Sequence, residues 1–355
     1  MQIWGVILGS LILILLTVDV LVTTLTLGGG GLVTGRLSSW LWWVALQVHK
    51  WRSNHRFLTI TGWTILVGVA LLWYTSCWLG WTILFSSYET AVVNASSKQP
   101  ASLWEIIYFT GYTLSTLGMG DYQPQGAFWQ LATAIASTNG FFLVTLTFAY
   151  LLPVVSSATA KRQLAVYITS LGGTADDIVT RAWNGKDFGQ FDQHLISLAP
   201  MLSQLGESHL TYPVLHYFHS VDRTKAIALS LVTLDDALTL LEYGVKESHR
   251  PDPAALGTVR RASAAFLITL KSAYLEPASD NPPLPSLEPL RVLGIPTVSD
   301  QEFWEATKNI TRRRRLLLAF VENDGWVWDT IASSKTSNRG SVLDDETSIA
   351  DAVLH

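Results

Sequence analysis

The residues of this chain best suited to chemistry are the run Thr-Leu-Gly-Met-Gly-Asp at positions 116–121. Gly118 and Gly120 alternate there with residues that carry side chains. Glycine adopts the positive φ angles that let successive backbone carbonyls point the same way. The carbonyls of residues 116–119, together with the Thr116 hydroxyl, would then form rings of oxygen atoms that replace the water shell of an ion. The chemistry predicted for this run is ion coordination by the backbone.

A short helix must position this run. Ser102 and Glu105 form a Ser-x-x-Glu capping box, which marks a helix start. A helix that reaches Leu114 from there has 12 residues and is about 18 Å long, too short for a bilayer core of ~30 Å. Hydrophobic spans lie on both sides, at 60–85 and 128–155. We therefore predict a segment that enters the membrane and returns, with non-helical backbone lining a water-filled path.

In this context, residues 116–121 resemble the Thr-Val-Gly-Tyr-Gly-Asp selectivity filter of potassium channels, and an ordinary glycine turn is the alternative. The resemblance covers roughly residues 60–155. It implies a pore domain of the two-transmembrane, pore-loop potassium channel family, with potassium as the permeant ion. It also implies that the ion-binding residues are Thr116, Leu117, Gly118, Met119 and Gly120.

The resemblance assigns support of the filter to Tyr108, Ser115 and Asp121. In the family, tryptophans of the half-helix and a filter tyrosine form a hydrogen-bonded aromatic cuff around the filter. Here Tyr108 and Phe109 stand at the tryptophan positions, and Met119 stands at the tyrosine position. Because methionine is flexible and has no hydroxyl, that bond cannot form. We expect a less rigid filter that still prefers potassium, since its carbonyls are retained.

Two residues of the third span are candidate gating hinges. Gly140 lies nineteen residues after Asp121, where the inner helices of two-transmembrane potassium channels often bend about a glycine. Pro153 removes a backbone donor near the predicted cytoplasmic end. The alternative for Gly140 is that it only allows close contact with another helix.

Charge and tryptophan content divide the chain into two parts. Residues 1–160 contain five basic residues, four acidic residues and eleven of the fifteen tryptophans, whereas the remaining 195 residues contain 19 basic and 24 acidic residues. Tryptophan enrichment indicates anchoring at membrane interfaces. The net charge of −4 gives no reason to expect nucleic acid. The single cysteine, Cys77, leaves neither a disulfide framework nor a cysteine-based zinc site available. The sequence predicts a membrane half joined to a soluble half.

The N-terminal region is predicted to add one more span. Residues 3–27 are continuously apolar and long enough to cross a bilayer, and they lack the features of a signal peptide. Asp19 inside this run is either a functional intramembrane carboxylate or an aspartate that lies near the interface or is bonded to a neighbouring helix. Glycines at 28–31 are expected to end the helix. Residues 38–51 predict an interfacial amphipathic helix, and the basic residues that follow place this linker in the cytoplasm and the N-terminus outside.

After the third span, the pattern predicts a mostly helical soluble domain. Residues 224–242 are densely apolar and indicate a buried helix. Residues 254–274 and 300–321 indicate further amphipathic helices. Residues 281–289 contain four prolines and predict a loop. The polar stretch 333–355 predicts a poorly ordered end.

Two clusters in the soluble half carry alternative interpretations. His209, His216 and His219 suggest either metal or proton binding or a packed aromatic helix. The arginine run at 312–315 suggests either contact with anionic lipid or an acidic partner, or a solvated helix face. The Leu-Gly-Gly-Thr run at 171–174 lacks the Gly-x-Gly-x-x-Gly spacing of nucleotide-binding domains.

The sequence thus predicts an all-α membrane protein with four regions: an N-terminal transmembrane helix and interfacial linker at 1–58, a pore domain at 59–156, a helical cytoplasmic domain at 157–322, and a polar tail at 323–355. The predicted function is a tetrameric, potassium-selective cation channel. One filter per chain supplies a quarter of each carbonyl ring, which implies a homotetramer in lipid, expected in the plasma membrane. The sequence contains no arginine ladder of the kind that forms a voltage sensor. The cytoplasmic domain is therefore the expected gating element, and the sequence does not specify its ligand or partner.

Three alternatives remain at this stage. A potassium transporter subunit uses filter-like loops but carries four pore repeats in a single chain, and this chain shows one. A membrane receptor with a vestigial pore and a weakly selective cation channel are the other two. No nucleophile–base or metal-ligand constellation predicts an enzyme. No cofactor or metal is expected beyond the permeant potassium ion.

Overall fold

A computed structural model describes residues 3–26, 30–52, 55–273 and 275–332. Within these ranges the chain forms thirteen α-helices and two three-residue β-strands. The helices are α1 (Ile3–Leu25), α2 (Leu32–Arg52), α3 (His55–Ser86), α4 (Leu103–Leu114), α5 (Ala127–Leu171), α6 (Ala175–Ala182), α7 (Phe191–Thr211), α8 (Ile227–Thr239), α9 (Pro253–Ala273), α10 (Glu288–Val292), α11 (Asp300–Thr307), α12 (Thr311–Asn323) and α13 (Asp329–Ala332). Strands β1 (Val92–Asn94) and β2 (Tyr122–Pro124) pair antiparallel. The predicted all-α fold class is confirmed.

The described residues fold into two compact units. The first comprises residues up to 161 together with 204–221, and the second comprises 162–203 with the residues from 222 onward. Helices α5 and α7 each contribute residues to both units. The segment 204–221 therefore belongs with the membrane half, although it lies far along the chain from it. The predicted disorder of residues 333–355 lies outside the described residues.

Three helices of the first unit are long and apolar enough to cross a membrane: α1, α3 and α5. They correspond to the three predicted spans. The glycine break predicted at 28–31 falls partly outside the described residues, but α1 ends at Leu25 and α2 begins at Leu32. The aromatic rings of Phe85 and Phe109 pack edge to face at 5.2 Å, and Trp129 lies 5.9 Å from Phe85. These contacts hold α3 against both α4 and α5.

The inner helix α5 is longer than the span predicted for 128–155. It continues through Pro153 to Leu171, for 45 residues in all. A proline removes only one backbone donor. Because residues 154–171 contain no glycine or second proline, the helix continues past Pro153 without a break. It ends where Gly172 follows, a residue type common after a helix C-terminus.

Helix α2 begins at Leu32, earlier than the interfacial helix predicted for 38–51. The reason is the buried Asp19 of α1, whose Oδ1 accepts hydrogen bonds from the backbone amides of Val33 and Thr34 at 2.8 and 3.3 Å. The Thr34 hydroxyl donates to Asp19 Oδ2 at 2.5 Å. A carboxylate at this position satisfies orphan amides of the first turn and complements the helix dipole. Of the two alternatives for Asp19, the bond to a neighbouring helix is therefore the one observed.

Helix α8 forms the centre of the second unit, because every one of its residues is buried. This confirms the buried helix predicted at 224–242, and α9 matches the helix predicted at 254–274. Residues 300–321 form two helices rather than one, since a 3-10 turn at Lys308–Ile310 separates α11 from α12. The predicted proline-rich loop ends slightly early, at the start of α10.

Three of the four arginines at 312–315 point into the second unit. For these three, contact with lipid or an acidic partner and a solvated helix face are both wrong. Arg313 forms an ion pair with Asp235, and Arg314 forms one with Asp236. Arg315 donates to a backbone carbonyl of the same unit. Because the side chain of Arg314 is only 3% exposed, these pairs connect α12 to α8 in the interior.

The pKa values of the two aspartates of α8 shift in opposite directions. Burial alone would raise the pKa of Asp235, but the charges of Arg260 and Arg313 outweigh it and lower that pKa. Burial raises the pKa of Asp236 to about 6, although Arg314 opposes the shift. Arg260 also pairs with Glu242 at 2.8 Å. A connected set of charges therefore replaces apolar packing at this point of the core.

Candidate functional site

The helix that precedes the filter sequence is α4. It runs from Leu103 to Leu114 and has 12 residues, as the sequence predicts. The Glu105 carboxylate accepts a hydrogen bond from the Ser102 backbone amide at 2.6 Å, which fixes the direction of the chain at the start of the helix. Phe109 and Leu114 are almost fully buried. The short helix is thus held at its start by a cap and along its length by packing.

The backbone that follows α4 alternates in handedness. Thr116, Gly118 and Gly120 have φ angles of 59°, 57° and 85°, whereas the intervening Leu117 and Met119 do not have positive φ. A positive φ is an outlier for a β-branched residue such as threonine, and such strain clusters at functional sites. The positive φ angles of Gly118 and Gly120 agree with the sequence prediction. That the carbonyls of the run point the same way stays a prediction.

The carbonyls of residues 116–120 accept no hydrogen bond from any residue that the structure describes. Leu117 and Met119 are 66% and 58% exposed within the single chain, so this segment is not packed away. Backbone carbonyls removed from water need partners. These five consecutive carbonyls have no partner within the described chain, so they are available to water or to another ligand.

One carbonyl anchors the start of this segment to α4. The Tyr112 carbonyl accepts hydrogen bonds from the amides of Leu117 and Gly118 at 2.9 and 3.4 Å. The hydroxyl of Ser115, the residue that follows α4, donates to the same carbonyl at 3.2 Å. Ser115 thus shares this carbonyl with Leu117 and Gly118, and its role in supporting a filter stays a prediction. The last turn of α4 fixes where the alternating backbone begins.

Tyrosines bond the far end of the segment back to α4. The Tyr112 hydroxyl donates to the Tyr122 carbonyl at 2.8 Å, and the Tyr122 hydroxyl donates to Glu105 Oε1 at 2.5 Å. The Asp121 carboxylate interacts with the Tyr108 hydroxyl, and the Tyr108 ring lies 5.1 Å from the Tyr112 ring. This tyrosine network brings together the predicted Tyr108 and Asp121. It adds Tyr112, Tyr122 and a second role for Glu105, which sequence reasoning missed.

The sequence contains a local pattern that points to Tyr112 but none that points to the bond between Tyr122 and Glu105. Tyr112 follows Tyr108 by one helical turn, and residues at that spacing share a helix face. That spacing was sufficient to associate Tyr112 with the filter. The bond from Tyr122 to Glu105 joins residues 17 positions apart across the filter, and no local pattern reports it.

Hydrogen bonds stabilise the ionised form of the Glu105 carboxylate. The Tyr122 hydroxyl, followed by the Ser102 amide, lowers the pKa of Glu105 below its usual value. The usual value for glutamate is about 4.3. When folding lowers the pKa of a carboxyl group, the ionised group stabilises the fold at any pH above its pKa in the unfolded chain. That stability is lost as the pH falls through the lower pKa of the folded state. The tyrosine network should therefore persist in mildly acidic solution.

The loop between α3 and α4 clamps the end of the segment. Asn94 of β1 lies opposite Tyr122 of β2. The Ala95 amide donates to the Asp121 carbonyl at 2.8 Å, and the Gln125 amide donates to the Ala91 carbonyl at 3.0 Å. The run at 116–121 is thus fixed on both sides, by α4 before it and by this strand pair after it.

The structure places the two candidate hinges differently. A Cβ atom on Gly140 would collide with the carbonyl of Leu114, the last residue of α4. The absence of a side chain there permits close contact between α5 and α4, which is the alternative to a hinge. Pro153 lies inside the continuous helix α5. Bending at either residue stays a prediction.

The histidine cluster of the sequence lies in packed surroundings. His209, His216 and His219 are buried, and His219 Nε2 lies 3.1 Å from His55 Nδ1. Burial, followed by the nearby charge of Lys161, lowers the pKa of His209 well below its usual range. Among the described residues, no three His, Cys, Asp or Glu side chains are arranged to hold a metal ion. The packed interpretation is therefore the better supported one.

These features define a class of protein. Two helices that are long and apolar enough to cross a membrane, α3 and α5, lie on either side in the chain of a short capped helix and of a backbone segment whose carbonyls have no partner among the described residues. A third spanning helix, α1, precedes them. This is the pore architecture of an ion channel.

Comparison with known proteins agrees with this class. Residues 68–157 match a family model described as "Ion channel". The chain is 35% identical over 325 residues to a Bacillus subtilis (strain 168) protein described as uncharacterized membrane protein YdjJ, a match that covers 91% of this chain and 94% of the relative. No solved structure matches the chain. The chain belongs to the same membrane protein family as this relative, and its central region is similar to ion channels.

Proposed function

We propose that the chain forms a tetrameric cation channel that prefers potassium. The observation that carries this proposal is the run of five carbonyls at 116–120, which alternate in handedness and have no internal hydrogen-bond partner. Carbonyl oxygens of this kind replace the hydration shell of a potassium ion. The ion-binding residues are Thr116, Leu117, Gly118, Met119 and Gly120, supported by the tyrosine network. The permeant ion is the only ligand assigned to the site, and no enzymatic activity is proposed.

Liposome flux tests the proposal against a receptor with a vestigial pore. Purified full-length protein in potassium-loaded liposomes should take up radioactive rubidium, a potassium tracer, well above protein-free liposomes. Uptake equal to that of empty liposomes would favour the receptor. Uptake of sodium tracer at an equal rate would favour the weakly selective channel.

The oligomeric state follows from the single filter. One chain provides one quarter of a carbonyl ring, so four chains must surround the pore axis. Native mass spectrometry of detergent-solubilised protein should therefore show four chains. A stable monomer or dimer without higher species would contradict the tetramer.

The composition of the filter predicts a softened pore. Because Met119 has no hydroxyl to bond toward α4, wild-type channels should admit measurable sodium or show currents that decline during sustained opening. Met119→Tyr supplies a hydroxyl and should steady the current, whereas Met119→Leu, the matched control, should not. Bilayer recordings of the three proteins make the comparison. Near-ideal selectivity with steady wild-type currents would show that the filter is rigid without this bond.

We assign the protein to the plasma membrane with its N-terminus outside and its second unit in the cytoplasm. The support is the distribution of charge, because three of the five basic residues of the membrane half, Lys50, Arg52 and Arg56, lie at the end of α2 or the start of α3. Basic residues near spans favour the cytoplasmic side. Three spans then place the two ends of the chain on opposite sides.

We further propose that the second unit influences gating. Helix α5 is continuous from Ala127 to Leu171, with no Gly/Ser-rich spacer between the pore and the start of the second unit. A stiff connection transmits displacement that a flexible linker would dissipate. A deletion after residue 162 is a poor test, because it would also remove 204–221, which belongs to the membrane unit. A point variant in the core of the second unit avoids that difficulty.

A further inference from the structure

A cavity of about 530 Å³ lies in the second unit, at the end of the inner helix α5. Residues of α5, α6 and α8 line it, together with the loop between α5 and α6 and a 3-10 turn at Arg223–Lys225. All of these residues belong to the second unit. The volume is within the ~300–1,000 Å³ range of small-molecule sites. The cavity is therefore large enough to hold a small molecule against both α5 and α8.

One buried hydroxyl in the wall has no partner. Thr233 of α8 lines the cavity and is only 5% exposed, and its hydroxyl makes no hydrogen bond within the described chain. Elsewhere in α8, Ser230 and Thr239 donate to the carbonyl four residues earlier. The Thr233 hydroxyl is not fully enclosed by protein atoms, so a molecule in the cavity can reach it. Because buried hydroxyls normally have a partner, the site lacks one hydrogen-bonding group.

The charged side chains of the wall balance one another. Asp176 and Asp177 of α6 are negative, and Arg181 and Arg223 are positive. Asp177 already pairs with Arg181 at 2.6 Å, whereas the Asp176 carboxylate forms no hydrogen bond or ion pair with a described residue. A metal cation would be repelled by the arginines, and a polyphosphate by the aspartates. The wall therefore suits a molecule that carries one positive and one negative charge.

The apolar part of the wall joins the inner helix to the core of the second unit. It consists of Ile168 of α5 and Leu229 of α8, both almost fully buried. Beside them, the hydroxyls of Thr169 on α5 and Ser230 on α8 bond at 3.3 Å. A ligand that touches both helices binds best when the end of α5 has one particular position against α8, and such differential affinity is what shifts an equilibrium.

We propose that this cavity binds a free amino acid with an apolar side chain. The ammonium pairs with Asp176, and the carboxylate pairs with Arg223 and accepts a hydrogen bond from Thr233. The side chain lies against Ile168 and Leu229. Occupancy biases the position of α5 and thereby alters conduction, a consequence that rests on the proposed channel function. Binding itself does not depend on that function.

The binding test uses tritiated L-leucine and full-length protein in detergent, measured by scintillation proximity. 3-Methylbutylamine lacks the carboxylate of leucine and 4-methylpentanoate lacks its ammonium, so each should compete far less well than unlabelled leucine. Asp176→Asn and Thr233→Val should each weaken leucine binding about tenfold, the effect of losing one hydrogen bond to a charged group. Thr233→Ser retains a hydroxyl and should bind as wild type does.

Asp280→Asn is the matched control, because Asp280 is an exposed carboxylate of the second unit that does not line the cavity. It should bind leucine as wild type does. Equal weakening in Asp280→Asn and Asp176→Asn would contradict the assignment of the ammonium to Asp176.

The outcomes separate the site from the channel. The proposal is overturned if the wild type shows no saturable leucine binding, or if the amine or the acid competes as well as leucine. Unchanged affinity in both Asp176→Asn and Thr233→Val would place leucine elsewhere, with the same consequence. Leucine binding without rubidium flux would retain the site and reject the channel function. A change in rubidium flux with leucine, lost in Asp176→Asn, is the expected result.

Discussion

Replacing Gly118 with alanine should abolish potassium flux, with a loss of at least about a hundredfold. Gly118 has a φ of 57°, and a residue with a Cβ atom in left-handed conformation costs roughly 1–2 kcal/mol. Four chains would each carry this cost in one ring, and about 1.4 kcal/mol corresponds to a factor of ten. Within the chain, no atom lies within 4 Å of a Cβ placed there. The effect is therefore a consequence of backbone conformation, not of collision with the chain's own side chains. Rubidium uptake by liposomes measures it.

Gly185→Ala is the matched control for this prediction. Gly185 also has a positive φ, of 96°, and also has open space around the position of a Cβ. It lies in the second unit, outside the filter. We expect this variant to retain near wild-type uptake. If both variants lose flux equally, or if Gly118→Ala conducts normally, the filter assignment fails.

Arg314→Leu should lower the free energy of unfolding of the second unit by about 3–5 kcal/mol, the usual cost of removing one partner of a buried ion pair. Arg314 pairs with Asp236, donates to the Pro283 carbonyl at 2.6 Å, and lies 5.5 Å from the Trp328 ring centroid. The variant would leave Asp236 buried without its cation. Urea unfolding, followed by tryptophan fluorescence, measures the change.

Arg181→Leu is the control for the ion pair. Arg181 pairs with Asp177 at 2.6 Å, but its side chain is 65% exposed, and exposed pairs typically contribute 0–1 kcal/mol. A large loss in both variants would indicate that burial is not the cause. The same proteins test gating. If tetramers of Arg314→Leu form but their open probability differs several-fold from wild type, the second unit influences the pore, and an unchanged open probability would reject that role.

Local sequence signals predicted the elements nearest the filter. The capping box and the length of the run were sufficient to place α4 at Leu103–Leu114, because both are properties of neighbouring residues. The alternation of Gly118 and Gly120 likewise predicted the backbone handedness, since glycine is the residue that adopts positive φ without strain. Thr116 adopts the same handedness at a cost that no propensity anticipates.

Contacts distant in sequence account for what was not predicted. Helix α2 starts at Leu32 because Asp19, from a different helix, caps it. The arginines of α12 point inward because Asp235 and Asp236, 78 positions earlier, meet them. A run of four arginines alone is typical of a solvated or lipid-facing surface. Only the fold supplies the buried carboxylates that reverse that expectation.

The measurement that tests the central claim most directly is the reversal potential of the purified protein in a planar bilayer, with potassium on one side and sodium on the other. A potassium-preferring pore should give a reversal potential displaced strongly toward the potassium equilibrium potential, short of ideal because of Met119. Gly118→Ala should give no current under the same conditions. A reversal potential near zero, or wild-type current that persists in Gly118→Ala, would contradict a carbonyl filter at residues 116–120.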